Sequence, residues 1–182
     1  LAGFEVCVFS RPGVTVFAPA NTRDKGVNEM SAALKRRFNF ETVHPIDDFE
    51  VEMSLVRRQV EKLMAQSGIE VAPSPDVLDI LVTTFRELRA GIDHEGKPME
   101  KLSSIMTTAE AVAVAHSVSV RGWFLRGDAG TPADIVDCLA GTAAKDNKDD
   151  LKKIRRYLDV QAKGRKGEHW KAFYQARGRL DG

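Results

Sequence analysis

The sequence predicts a short α/β segment followed by a mainly α-helical bundle, mostly α overall. Three observations carry this. The β-forming runs FEVCVF, VTVFA and FETVHP lie within the first 45 of 182 residues. Beyond them, apolar residues recur at helical spacing in successive stretches. Those stretches open on capping residues, and several stop at glycine. The expected domains are 1–45, the end of an α/β core; 46–144, a helical domain; and 145–182, a basic helical tail.

Taken in order, Phe4–Phe9 reads as a strand, and Ser10-Arg11-Pro12-Gly13 as a turn. Val14, Val16 and Phe17 suit a short buried strand over 14–18, which Pro19 and Asn21 end. Asn28 is a good N-cap for a helix carrying Met30, Ala33, Leu34 and Phe38, with the basic doublet Arg36 and Arg37 before the aromatic. Phe40–Pro45 suggests a last short strand. His44 has no partners at metal-ligand spacing and is expected to be structural. Asn21 by itself suits a turn; a neutral amide at a strand tip can also orient a water. A guanidinium can stabilise charge on a transferring phosphoryl group.

Asp47 or Asp48 caps the next helix, whose stripe is Phe49, Met53, Val56, Val60, Leu63 and Met64, ending at Gly68. Arg57, Arg58 and Lys62 lie off the stripe. Pro73-Ser74-Pro75-Asp76 starts a second helix with Val77, Leu78, Leu81, Val82, Phe85 and Leu88 inward, stopped by Gly91. Asp93–Pro98 is a polar turn, with His94 and Glu95 at its surface. Thr107 and Glu110 form a capping box for an Ala/Val-rich helix reaching about Val118. Gly122–Gly130 reads as a loop bearing Trp123 and Phe124, either buried anchors or a docking patch. Thr131-Pro132-Ala133-Asp134 announces another helix, with Ile135, Val136, Leu139 and Ala140 inward.

The tail opens with a basic amphipathic helix, Leu151, Ile154, Tyr157 and Leu158 among Lys152, Lys153, Arg155 and Arg156, broken at 164–167. A second helix mixes His169, Trp170, Phe173 and Tyr174 with Lys171, Arg177 and Arg179. Aromatics docked on the body with a solvated basic face, a partner-protein contact and single-stranded nucleic acid all fit that pattern.

Net charge is +1, which by itself favours neither nucleic acid nor a membrane as partner. The distribution is uneven: residues 1–144 hold 15 basic and 20 acidic side chains, residues 145–182 hold 12 and 6. Cys7 and Cys138 are distant in sequence and read as reduced thiols of a cytoplasmic protein. No apolar run is long enough to span a bilayer, and no signal-peptide pattern opens the chain.

The segment 14–40 resembles the second half of an AAA+ ATPase core, most closely the MoxR-like branch. FAPANT puts Asn21 at the sensor 1 position of that family. LKRRF puts Arg37 at the arginine-finger position, or Arg36 if the register differs by one. Gly26 and Val27 fall where the family has its G-x-x-L stretch, and Thr131-Pro132 matches the start of its final lid helix. The resemblance implies that 46–144 is the lid, and that Asn21 and Thr107 face the nucleotide. It also implies ATP and Mg²⁺ as cofactors, a homo-oligomeric ring expected to be a hexamer, and hydrolysis coupled to remodelling of a partner, often a von Willebrand A domain protein. The chain departs from the family just ahead of Arg37, where Asp is common and this chain has Lys35 and Arg36, and at one position in the lid. Where the family has the sensor 2 arginine, after the capping hydroxyl, this chain has Ala109. Arg121 lies roughly 18 Å further along the helix, too far to substitute.

The chain contains no G-x-x-x-x-G-K-Ser/Thr phosphate loop and no apolar strand ending in paired acids. It reads as the C-terminal portion of a longer protein, with both motifs upstream of Leu1, and by itself is expected to hydrolyse no ATP. Two other functions remain open: a non-catalytic protein-interaction module derived from the same fold, and nucleic-acid binding through the basic tail.

Overall fold

The computed structural model describes residues 12–19, 31–103, 106–141 and 147–181. The chain divides into two units, Leu1–Val43 and His44–Gly182.

In the first unit, the described residues hold one helix, α1 (Ala32–Lys35), followed by a turn at Arg36-Arg37. The expected strand over 14–18 is not formed. Residues 14–19 have no regular structure, and Phe17 is 89% exposed. The expected strand over 40–45 is likewise irregular, with Val43 at 91%. A β-former becomes a strand only when a neighbour takes its backbone N–H and C=O groups. Among the described residues there is no strand to do so; the one bridge joins Ile92 and Pro98. The run Phe4–Phe9 and the Asn28 cap lie outside the described residues.

The second unit is a helical bundle: α2 (Phe49–Gln66), α3 (Pro75–Ala90), α4 (Thr108–Arg126), α5 (Pro132–Leu139), α6 (Lys148–Tyr157) and α7 (Glu168–Gln175). A π turn (Leu158–Ala162) extends α6, and a 3-10 turn (Ala176–Asp181) follows α7. The caps read from the sequence are present. Asp48 accepts the Val51 N–H at 3.0 Å, and Ser74 accepts that of Val77. Thr107 and Glu110 cap α4 reciprocally. The Asp134 carboxylate takes both the N–H and the hydroxyl of Thr131. Gly91 and Gly127 end α3 and α4 in the left-handed conformation, with φ of 70° and 75°.

Helix α4 packs against α2, α3 and α5, and α3 also meets α7. The core is drawn from every helix of this unit: Val56, Val60 and Met64 of α2, Leu81 and Phe85 of α3, Val114 and Val118 of α4, Ile135 and Leu139 of α5, Ile154 and Tyr157 of α6, and Trp170 and Phe173 of α7.

Helix α4 runs eight residues past the expected end at Val118, through Gly122 to Arg126. Gly122 serves close packing and does not end the helix. A Cβ there would meet the Gly130 backbone N at 2.2 Å, and one on Gly130 (φ 86°) would meet the Val118 carbonyl oxygen at 2.6 Å. Backbone therefore lies on backbone where the 128–130 turn crosses α4. Trp123 packs partly into the core, and Phe124 is exposed on the same helix.

Candidate functional site

The residues singled out from the sequence fall on two units. Asn21 lies outside the described residues. Arg36 and Arg37 follow the single turn of α1, and both are exposed. The Arg37 Nη1 donates to the Ala33 carbonyl at 2.8 Å, closing the end of its own helix. Exposed guanidinium groups at adjacent positions can meet the oxygens of a phosphate presented by another molecule.

Thr107 is exposed at the N-cap of α4. Its hydroxyl accepts the Glu110 N–H at 3.1 Å and donates to Glu110 Oε2 at 3.0 Å. Ala109 is exposed in the first turn and carries no cation. Arg121 is bound elsewhere: its Nε reaches Asp134 at 3.2 Å and its Nη2 reaches Asp137 at 3.0 Å. Arg126 completes the clamp on Asp134 at 2.5 Å and also holds Asp128 at 2.9 Å. Both cations at the far end of α4 thus fasten the start of α5.

The α4 N-terminus contains a cluster that the sequence reading missed. Glu52 of α2 is 1% exposed. Its Oε2 accepts from Arg86 Nη1 and Arg89 Nη2, both at 2.9 Å, and its Oε1 accepts from Thr108 Oγ1 at 2.7 Å. Each arginine also reaches a backbone carbonyl. Arg86 donates to Ile46 at 3.0 Å and to Asp47 at 2.5 Å, in the segment leading into α2. Arg89 donates to Met106 at 2.9 Å, just before α4. Burial pushes the Glu52 carboxyl up, but hydrogen bonds from Arg89, Thr108 and Arg86 outweigh it and leave the group below the usual carboxylate range. The sequence signal was present: Glu52 lies one turn before Val56 in the same buried row as Val60 and Met64, opposite arginines three residues apart.

Two of the tail aromatics, Trp170 and Phe173, are not available for stacking on bases. They are 3% and 0% exposed. Trp170 Nε1 donates to Asp79 at 3.2 Å, and the Arg165 guanidinium sits 4.5 Å from its ring centre. Glu87 accepts from the buried Tyr157 hydroxyl at 2.7 Å and pairs with Arg165.

Among the described residues, no three or more His, Cys, Asp or Glu side chains are grouped to hold a metal ion. The described residues thus offer exposed guanidinium groups at Arg36 and Arg37, and no cluster of three or more metal-binding side chains. No helix among them is long and apolar enough to cross a membrane.

Comparison with known proteins agrees with the helical half of this description. Residues 50–181 match the YehL-like AAA+ ATPase C-terminal domain. The chain is also similar to the uncharacterized protein YehL of Escherichia coli (strain K12), with 52% identity over 180 residues. That match covers 99% of this chain and 49% of the relative, so the chain spans about half the length of the curated protein it resembles. No solved structure matches. The capped helical bundle and these two matches agree, and the chain belongs to the YehL-like AAA+ ATPase C-terminal domain family.

Proposed function

We propose that this chain is the C-terminal part of a MoxR-like AAA+ ATPase, which couples ATP hydrolysis to remodelling of a partner protein. The observation that supports this most is the match of residues 50–181 to the YehL-like AAA+ ATPase C-terminal domain. The similarity to YehL extends over 180 residues, and so includes nearly all of the segment that carries Asn21, Arg36 and Arg37 ahead of the helical domain. On this reading residues 1–45 complete an α/β core with the rest of the protein, and 46–144 form its lid.

Asn21 then orients the attacking water or contacts the terminal phosphate. Arg37, or Arg36 one residue earlier, reaches the site of the next subunit in a ring, a hexamer on this reading. There it offsets charge as the phosphoryl group passes to water. Thr107 faces the nucleotide at the start of α4. Bound ATP supplies the phosphoryl group, and Mg²⁺ is held by residues outside this chain. The partner is a von Willebrand A domain protein and the compartment is the cytoplasm. The 182 residues alone hydrolyse no ATP.

The experiment is Arg37→Ala in the longer protein, with ATP hydrolysis as readout. Loss of a trans-acting arginine is expected to lower the rate by about 10³- to 10⁵-fold. Hydrolysis at the wild-type rate by both Arg37→Ala and Arg36→Ala removes the assigned role.

One observation favours a second reading, a non-catalytic interaction module. The position after Thr107 that should carry a cation is Ala109, and Arg121 is already paired to Asp134 and Asp137. A longer protein that binds its partner but hydrolyses no ATP would decide for that reading.

A further inference from the structure

We infer that Glu52 is the hub of a latch that fastens the segment leading into α2 and the start of α4 to each other as one rigid piece. The geometry is specific. A single buried carboxylate receives two guanidinium groups and a hydroxyl, and each guanidinium is shared with a backbone carbonyl on a different segment. Arg86 holds Ile46 and Asp47; Arg89 holds Met106, and Thr108 ties the first turn of α4 to the same oxygen pair. Helix α3, which carries both arginines, supplies the rigid spacing.

Holding a chain entry by its carbonyls is useful because the entry otherwise has little to fix it. Residues 40–48 have no regular structure, and His44, Pro45, Asp47 and Asp48 are exposed. The carbonyls of Ile46 and Asp47 are taken by Arg86, which also lies over the Phe49 ring at 5.8 Å. The next residue, Asp48, caps α2. The direction in which the chain enters the bundle is therefore set by the carboxylate that sets the α4 start. The latch is a positioning device and requires nothing of the nucleotide reading. If Thr107 does face a nucleotide, the device would link the chain entry to that site, and this last clause alone rests on the proposed function.

Amide hydrogen exchange of the 182-residue chain tests it, comparing wild type with Arg86→Gln, Arg89→Gln and Glu52→Gln. Removing a charged hydrogen-bond partner is expected to speed local exchange by roughly 10- to 100-fold. Arg86→Gln should do so at Val51 and Glu52, whose N–H groups depend on Asp48. Arg89→Gln should do so at Glu110 and Ala111, whose N–H groups depend on Thr107. Glu52→Gln should loosen both places together. Should Glu52→Gln fail to fold, the two arginine variants still carry the test. Acceleration that spreads equally to α5 and α7 overturns the inference, because the residues would then be general supports. No acceleration at Val51 in Arg86→Gln overturns it as well. Either result stands whatever the longer protein does with ATP. Conversely, a longer protein inert towards ATP removes the functional reading and leaves the exchange pattern as the measure of the latch.

Discussion

Phe173→Ala is the sharpest test of whether the tail is part of the bundle. Phe173 is fully buried, in the group where α7 meets α3 and α5, and its ring stands edge-on to Trp170, with centres 6.0 Å apart and planes at 71°. Truncating a buried Phe to Ala costs about 3–5 kcal/mol, from lost transfer and from the cavity left behind. The lost aromatic pair accounts for about 0.5–1.5 kcal/mol of that. For a chain of this size each kcal/mol lowers the melting temperature by about 2–4 °C, so a fall of roughly 6–20 °C is expected. The assay is thermal unfolding followed together by far-UV circular dichroism and by tryptophan fluorescence. If the tail is integral, Trp170 in α7 and Trp123 in α4 report one coincident transition that moves as a whole. Phe124→Ala is the control; that side chain is 67% exposed, and its loss should stay within about 0.5 kcal/mol. A fall of less than about 2 °C would refute the reasoning. So would a separate early tail transition that leaves the main one unmoved.

Two further outcomes are expected. Tyr157→Phe removes a buried donor to Glu87 and leaves that carboxylate with Arg165; a loss of about 1–3 kcal/mol is expected in urea unfolding, and an unchanged midpoint would refute it. The second concerns acid. Burial pushes the carboxyls of Glu52, Asp134 and Asp150 up, but hydrogen bonds from Arg89, Thr131 and Ser103 respectively, with their other partners, pull each below the usual range. A carboxyl held low in the folded state stabilises it above the unfolded-state value, and that stability is lost as pH falls through the folded value. The urea midpoint should therefore hold down to about pH 5 and drop steadily from there towards about pH 3, with a shallower drop in Asp134→Asn. A flat midpoint across that window would refute the assignment.

Helix existence was legible because local chemistry decides it. Asp48, Ser74, Thr107 and Thr131 each offer a side-chain oxygen at a helix start, and an apolar stripe follows Asp48, Ser74 and Thr131. The buried face of α4 was not legible. Its apolar residues surround the helix, so nothing in the pattern favours the observed row, Ala111, Val114, Ala115, Val118 and Gly122, over the row one residue away. Gly122 read as the start of a loop because glycine is disfavoured inside helices; its role depends on Gly130, eight residues on, which no local pattern reveals. The expected strands over 14–18 and 40–45 failed for a related reason. VTVFA has the composition of a strand, yet composition supplies no hydrogen-bonding neighbour. Of the candidate site, Thr107 and its cap were legible in full. Glu52 was hidden because an acid on an amphipathic helix is ordinarily read as solvated.

The charge imbalance was plain in the sequence, and its direction was not. A surplus of cations in 145–182 could have faced a nucleic acid, a partner or the body of the same chain. In the structure at least three of its twelve cations pair with the body of the same chain. Arg156 meets Glu100, Arg165 meets Glu87, and Arg179 meets Asp137, three pairs between the tail and earlier residues. Their exposure separates their contributions. The Arg156 and Glu100 side chains are 71% and 58% exposed, and such a pair is worth about 0–1 kcal/mol. The Arg165 and Glu87 side chains are 16% and 9% exposed, and Glu87 is also bonded to Tyr157. Removing either partner of that pair would strand a buried charge. Apolar burial of Trp170, Phe173, Ile154 and Leu158 therefore holds the tail down, while the Arg165–Glu87–Tyr157 group selects the orientation in which it docks. The tail turns Trp170 and Phe173 inward and pairs Arg165 with a carboxylate of its own chain, while Arg155, Arg156, Lys163 and Lys166 stay exposed.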